Sequence, residues 1–401
     1  MVANIQIFRL LFGWMQNMQE RGMGWDEIHV ETQNFVSLQP HNLPVLCPMW
    51  LLKSTFNLLP LTFNLIQTPI MDTVVSGIRP TGFLHLGNYF GALRNFIKMQ
   101  NKNRCFFFIA DYHSLTTHPT PADLRTNVKN VLIDYIAAGL DPEKATIYVQ
   151  SDVPQVCELS LLLSMNVYVG ELQRVASFKE KVRRQPNNVN AGLLNYPVLM
   201  AADILLHRAD KVPVGKDQEQ HLEMTRDFAQ RFNRIYQHEY FKLPVAYNFG
   251  NDLIKIPGLD GSTKMSKSDN EGSCIYLSDA PEMVRKKIMR AVSDSGPTEP
   301  GQPKSQAVEN LFSLMKIVST PDTVQYFEDQ YQACQIRYGD MKKQLAADMI
   351  TFTQPIYERI LELRSKDDYI SRVAREGAER AQESASKTIK EVREIIGFKA
   401  L

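Results

Sequence analysis

From residue 71 onward, short apolar runs alternate with longer amphipathic stretches, and the alternation ends near residue 280. The short runs predict strands at Thr73–Ile78, Cys105–Ala110, Thr146–Gln150 and Lys211–Val214. Apolar positions at helical spacing fill 87–100, 121–139, 155–167 and 216–234. Strand and helix in turn predict an α/β fold, a parallel sheet with helices on both faces. Beyond 280 the strand signals stop. Polar-amphipathic segments near 281–292, 306–318, 321–334, 338–365 and 369–396, with Gly-Pro breaks at 296–303, predict an all-α C-terminal domain.

Residues 1–70 do not share this pattern. Their apolar stretches hold neither period for long, and they carry only Arg9, Glu20, Arg21, Asp26, Glu27, Glu31 and Lys53 as charged side chains. All three tryptophans, Trp14, Trp25 and Trp50, lie here as well. Neither a secretory signal nor a transit peptide fits the segment. The expectation is an extension without a defined fold, with Met71 as the natural start; a small accessory domain is the alternative.

Composition adds bounds. The 44% hydrophobic and 22% charged residues are those of an ordinary globular protein. Net charge is +1, so no basic excess announces a polyanionic partner; DNA is not expected, and an RNA site must be a local patch. Arg285, Lys286, Lys287 and Arg290 are the candidate patch, and a solvated helix face is the competing reading. Cys47, Cys105, Cys157, Cys274 and Cys334 show no C-x-x-C spacing, so neither a disulfide framework nor a metal site is predicted. A reducing cytoplasm is the simplest setting. No uninterrupted apolar window is long enough for a membrane span.

Chemistry concentrates in three places. The first strand runs into Ser76-Gly77-Ile78-Arg79-Pro80-Thr81-Gly82-Phe83-Leu84-His85-Leu86-Gly87-Asn88 and then a helix. Gly82 and Pro80 suit a tight turn, Gly87 permits close approach of a nucleotide, and His85 and Asn88 can donate to phosphate. Far downstream, Lys264-Met265-Ser266-Lys267-Ser268 lies between glycines, where two lysines could neutralise a triphosphate. A given five-residue string arises by chance only on the order of once in ten thousand chains of this length. The third place is Tyr196-Pro197-Val198-Leu199-Met200-Ala201-Ala202-Asp203-Ile204-Leu205-Leu206. Pro197 suits a first helical turn, and Tyr196, Met200 and Asp203 share one face. Asp203 has no Lys or Arg at i±3 or i±4, so something must meet its carboxylate. An indole N–H fits; a distant Arg is the structural alternative.

H-x-G-N with K-M-S-K-S, in that order, resembles the class I aminoacyl-tRNA synthetases. Y-P-x-L-M-A-A-D-I-L-L followed by V-P-V-G-x-D-Q-x-Q-H resembles their tryptophanyl-tRNA synthetase family. The resemblance runs from Met71 to the C-terminus. It implies a Rossmann-type catalytic domain over 71–280 with a helical insertion, a helical tRNA anticodon-binding domain over 281–401, and a homodimer. It also implies that ATP, with Mg²⁺ on its phosphates, activates L-tryptophan for transfer to tRNA(Trp). The implied tryptophan site is Asp203 on the indole nitrogen, Tyr196 and Gln218 on the α-amino group, His113 beside the substrate, and Met200, Val212, Val214 and Val75 around it. The implied ATP site is Arg79, Thr81, Gly87, Asn88, Gly215, Asp217, Lys264, Met265, Ser266 and Lys267. Catalysis would fall to Lys264, Lys267, His85, Asn88 and Lys181. Departures are Arg79 for a common Gln facing the substrate carboxylate, Val75 for Phe, and Lys216 for Glu. A tyrosine-specific relative, a catalytically retired paralogue that binds RNA, and a small-molecule nucleotidyltransferase remain the competing readings.

Overall fold

Strand β1 forms at Thr73–Ile78, as the pattern predicts, and four parallel partners build outward from it. The computed structural model describes residues 71–215, 218–247, 255–265 and 271–398. The segment 1–70, with its expected lack of a defined fold, lies outside the described residues. Strands β2 (Arg104–Ile109), β3 (Ala145–Val149), β4 (Lys211–Val212) and β5 (Val245–Ala246) complete a sheet of order β3-β2-β1-β4-β5 among the described residues. Val74 pairs with Cys105 on one side and Lys211 on the other. The two-residue β5 is an addition to the predicted set, too short to carry a periodicity of its own.

A continuous helical run follows β1. It opens at Leu86–Asn88, passes through a π-helical turn at Tyr89–Leu93 and continues as Arg94–Met99; together these are α1. After β2 come α2 (Asp111–Ser114) and α3 (Pro121–Ala137), the latter capped by Thr120 with Pro121 at its first position. Beyond β3 lie α4 (Gln155–Ser164), α5 (Val169–Arg174), α6 (Ala176–Arg184), α7 (Ala191–Leu206) and, after β4, α8 (Glu219–Ile235). The rest is helical: α9 (Pro281–Met289), α10 (Gln306–Val318), α11 (Pro321–Gln332), α12 (Tyr338–Arg364) and α13 (Asp367–Ile396).

One expectation for α7 is corrected. The helix does not begin at Tyr196 with Pro197 in its first turn. It begins five residues earlier, at Ala191, where the Asn190 side chain accepts from the Leu193 amide, and Pro197 sits inside it. The Asn cap supplies the start signal, so the proline is tolerated rather than initiating.

Alternate residues of the central strands are buried on opposite faces. Val74, Cys105, Phe107, Ile109 and Ile147 pack with α1, α3 and the C-terminal helices α9, α10 and α12. Val75, Phe106, Phe108 and Tyr148 pack with α4, α7 and α8. Helix α13 joins both layers, giving Ile370 and Val373 to the first and Ala381, Ala385, Ile389 and Val392 to the second. It crosses at edge strand β3, where a Cβ on Gly377 would lie 1.7 Å from the Ile147 carbonyl oxygen. Only glycine allows this approach.

Chain order along the sheet reverses at β1. From there β2 and β3 extend one way and β4 and β5 the other, so the carboxyl ends of β1 and β4 diverge into a crevice, where doubly wound sheets bind ligands.

Candidate active site

That crevice holds a cavity of about 350 Å³. Strand β1 supplies Val75, Ser76 and Gly77, with Arg79 just beyond it, and the β4 exit supplies Val212, Pro213 and Val214. Helix α7 lays Tyr196, Met200 and Asp203 along one wall at the i, i+4, i+7 spacing read from the sequence. His113 enters from α2, Lys181 and Ser177 from α6, and Gln218 and His221 from the start of α8. All the side chains expected around tryptophan therefore line one cavity: Asp203, Met200, Tyr196, Gln218, His113, Val212, Val214 and Val75.

Asp203 meets partners from distant parts of the chain as well as facing the cavity. Gln150 Nε2 donates to both of its oxygens, at 2.8 and 3.0 Å, and His113 Nε2 lies 2.9 Å from Oδ2. Neither partner is an arginine. Gln150 sits at the carboxyl end of β3 and His113 one turn after β2, so the sheet register brings both to α7. Burial raises the Asp203 pKa, and the bonds from His113 and Gln150 oppose the rise. A carboxylate accepts about four hydrogen bonds, and these contacts use three, leaving one for a donor in the cavity.

A second polar cluster forms around Tyr196. Its hydroxyl lies 2.6 Å from His221 Nε2 and within hydrogen-bond reach of Ser177 Oγ, which is 3.1 Å from the same imidazole nitrogen. Lys181 Nζ stands 3.6 Å from the centre of the Tyr196 ring, a cation–π contact inside the cavity. Burial, helped by the positive charge of Arg79, pushes the Lys181 pKa down to about 8. Gln150, Ser177 and His221 went unread in the sequence. His221 belongs to the V-P-V-G-x-D-Q-x-Q-H string and could have been found there; Gln150 and Ser177 carry no local signal.

The two phosphate-type motifs meet at one edge of the crevice. His85 and Tyr276 form an antiparallel bridge, with the Leu86 amide donating to the Ile275 carbonyl and the Leu277 amide to that of Leu84, each at 2.9 Å. Asn88 Oδ1 accepts from the His85 amide at 3.1 Å and so ties the helix start together. A Cβ on Gly87 would lie 2.7 Å from the His85 imidazole, so any side chain there would have to displace that ring. Met265 is buried, its Cβ 3.6 Å from that same point, so the lysine motif packs close to the turn. Thr81 and Lys264 are exposed, and the Gly215 carbonyl accepts from the Gln218 amide at 2.9 Å. Asp217, Ser266, Lys267 and the departure Lys216 lie outside the described residues.

Comparison with known proteins decides the family. The family model for class I tRNA synthetases of the tryptophan and tyrosine type matches residues 71–354. The tryptophan–tRNA ligase of Porphyromonas gingivalis is 61% identical over 329 residues, covering 82% of this chain and all of that relative. The chain belongs to the class I tryptophanyl-tRNA synthetases. A second tryptophan–tRNA ligase, from Clostridium tetani, is 42% identical over 81% of this chain and 96% of its own. Among solved structures, the tryptophanyl-tRNA synthetase of Campylobacter jejuni complexed with ADP and tryptophan is 33% identical, with a TM-score of 0.73. It covers 81% of this chain and 100% of that one. The Rossmann-type sheet found here is the fold of this family.

Proposed function

We propose that this chain activates L-tryptophan with ATP, forming tryptophanyl-adenylate and pyrophosphate, and transfers the acyl group to tRNA(Trp). The observation that carries the reading is Asp203: a buried carboxylate held by His113 and Gln150 that still faces a cavity walled by Met200, Val75, Val212 and Val214. An indole fills such an apolar slot and offers one N–H for the remaining acceptor position. Phenylalanine leaves that acceptor unmet, a loss that discriminates by ~10⁴ or more. Tyr196, oriented by Ser177 and His221, and Gln218 take the α-ammonium group.

ATP lies in this reading across the His85–Asn88 turn, with Gly215 and Asp217 at the ribose. Mg²⁺ travels on its phosphates. The tryptophan carboxylate attacks the α-phosphorus in line, and the bridging oxygen leaves with pyrophosphate. No protein nucleophile is needed. Orientation and charge do the work, through Lys264, Lys267, His85, Asn88 and Lys181. Arg79, exposed beside the cavity, suits the substrate carboxylate or the phosphates. The tRNA terminal hydroxyl then attacks the mixed anhydride, and AMP leaves.

The helices over 281–401 are proposed to take the tRNA anticodon arm. Arg285, Lys286 and Arg290 are exposed and available for RNA phosphates. Lys287 is not: it pairs with Asp279 at 2.6 Å and lies over the Tyr276 ring, so the candidate patch loses one member. A homodimer is part of the reading; Leu161, Met165, Tyr168 and Val169 form an exposed apolar strip of the kind a second copy covers. A cytoplasmic setting is likewise proposed. No described helix is long and apolar enough to cross a membrane. Pyrophosphate exchange measured with each standard amino acid tests the whole: tryptophan alone should support it, and equal exchange with tyrosine would overturn the assignment.

A further inference from the structure

Helix α3 contains an acid that nothing above uses. In Val131-Leu132-Ile133-Asp134-Tyr135-Ile136 every residue is buried, and Asp134 is only 1% exposed. An ionised carboxylate in such surroundings costs several kcal/mol unless hydrogen bonds compensate, and a packed helix against a sheet has no need of one. Asp134 Oδ2 accepts from the Leu84 backbone amide at 2.9 Å, across fifty residues of sequence.

We propose that Asp134 is a positioning residue for nucleotide binding, fixing the His85–Asn88 turn through Leu84; this rests on the reading of that turn as the phosphate site. Leu84 is gripped on both sides of its own residue. Its amide goes to Asp134, and its carbonyl accepts from Leu277, on the segment that follows the lysine motif. The next residue is His85, whose imidazole lies over Gly87 and leaves no room for a side chain there. A shift at Leu84 therefore moves the imidazole, the turn and the anchorage of the lysine loop together. The bond is buried away from competing water, which suits a turn that must not yield when charge builds on a leaving pyrophosphate.

The expected split separates positioning from plain packing. Asp134→Leu keeps the volume and removes the acceptor, so kcat/KM for ATP in pyrophosphate exchange should fall about tenfold or more, as loss of one buried hydrogen bond predicts. Tryptophan affinity by calorimetry should stay within about twofold, because Asp203 and Tyr196 hang on α7. Asp134→Asn keeps an acceptor oxygen and should recover activity to within about threefold of the parent. If Asp134→Leu does not fold, Asp134→Ser replaces it, its short hydroxyl stopping short of the amide. Amide hydrogen exchange of peptides spanning 82–89, measured without ligand, should quicken in the leucine or serine variant and not in α7. Exchange unchanged at 82–89, or ATP and tryptophan parameters falling alike, overturns the proposal. Parent protein lacking amino-acid-dependent exchange would instead strike at the ATP reading, while the hydrogen-exchange arm still tests Asp134.

Discussion

His113 Nε2 and Asp203 Oδ2 stand 2.9 Å apart across 90 residues of sequence, so the acid that faces the cavity is held before any substrate arrives. Asp203→Ala strands the donors of His113 and Gln150 as well as that of the substrate. It should cost about 1–3 kcal/mol in stability by thermal melting. It should also lower the preference for tryptophan over phenylalanine in pyrophosphate exchange by orders of magnitude. A variant that keeps full selectivity removes Asp203 from recognition.

Lys181 offers a pH test. Its pKa, lowered by burial and then by Arg79 to about 8, means the free protein loses this charge as pH rises through that value. If the ammonium meets ATP phosphate, kcat/KM for ATP should decline above about pH 8, and kcat should decline later, because bound phosphate retains the proton. Lys181→Arg should move the decline upward, and a flat profile would place Lys181 outside ATP binding. The stability effect has the opposite sense. The unfolded lysine keeps its proton to about pH 10.5, so burying the charge costs stability below pH 8 and the cost fades between these values. Lys181→Met should therefore raise Tm at pH 7, and the gain should shrink by pH 10.

Lys264 is exposed on the loop beside the His85 turn. Lys264→Ala should slow pyrophosphate exchange about a hundredfold or more through kcat while leaving tryptophan affinity unchanged, as does the loss of a donor that acts in the transition state. The same split is expected of Lys267→Ala. Equal losses in both quantities would contradict that division of roles.

Gly377 gives a purely structural test. With the Ile147 carbonyl oxygen 1.7 Å from its missing Cβ, Gly377→Ala must push α13 off β3, at about 3 kcal/mol or more by urea denaturation. Gly339, in α12, has open space at the same point, and Gly339→Ala should be neutral or stabilise by up to about 1 kcal/mol. Similar outcomes for the two would mean that α13 does not cross the edge strand so closely.

The site was legible to different depths. Tyr196, Met200 and Asp203 could be placed on one face because helical spacing is local information, and the structure sets all three along the cavity. Gln150 and Ser177 were invisible: each is a common polar residue whose importance lies in a neighbour dozens of positions away. Lys287 looked like part of a basic patch because charge along a helix is readable, whereas its pairing with Asp279 depends on how the preceding turn folds back.

By itself the sequence determined the alternation of strands and helices, the helical remainder and the two phosphate-type motifs, since each is written in residues near one another along the chain. Only the tertiary structure decided that the carboxylate of Asp203 is shared between His113 and Gln150, that His85 bridges to Tyr276, and that α13 crosses edge strand β3 at Gly377 to pack into both layers. These are contacts between segments far apart in sequence. Strand register and helix packing set them, and no local pattern of apolar and polar positions carries that information.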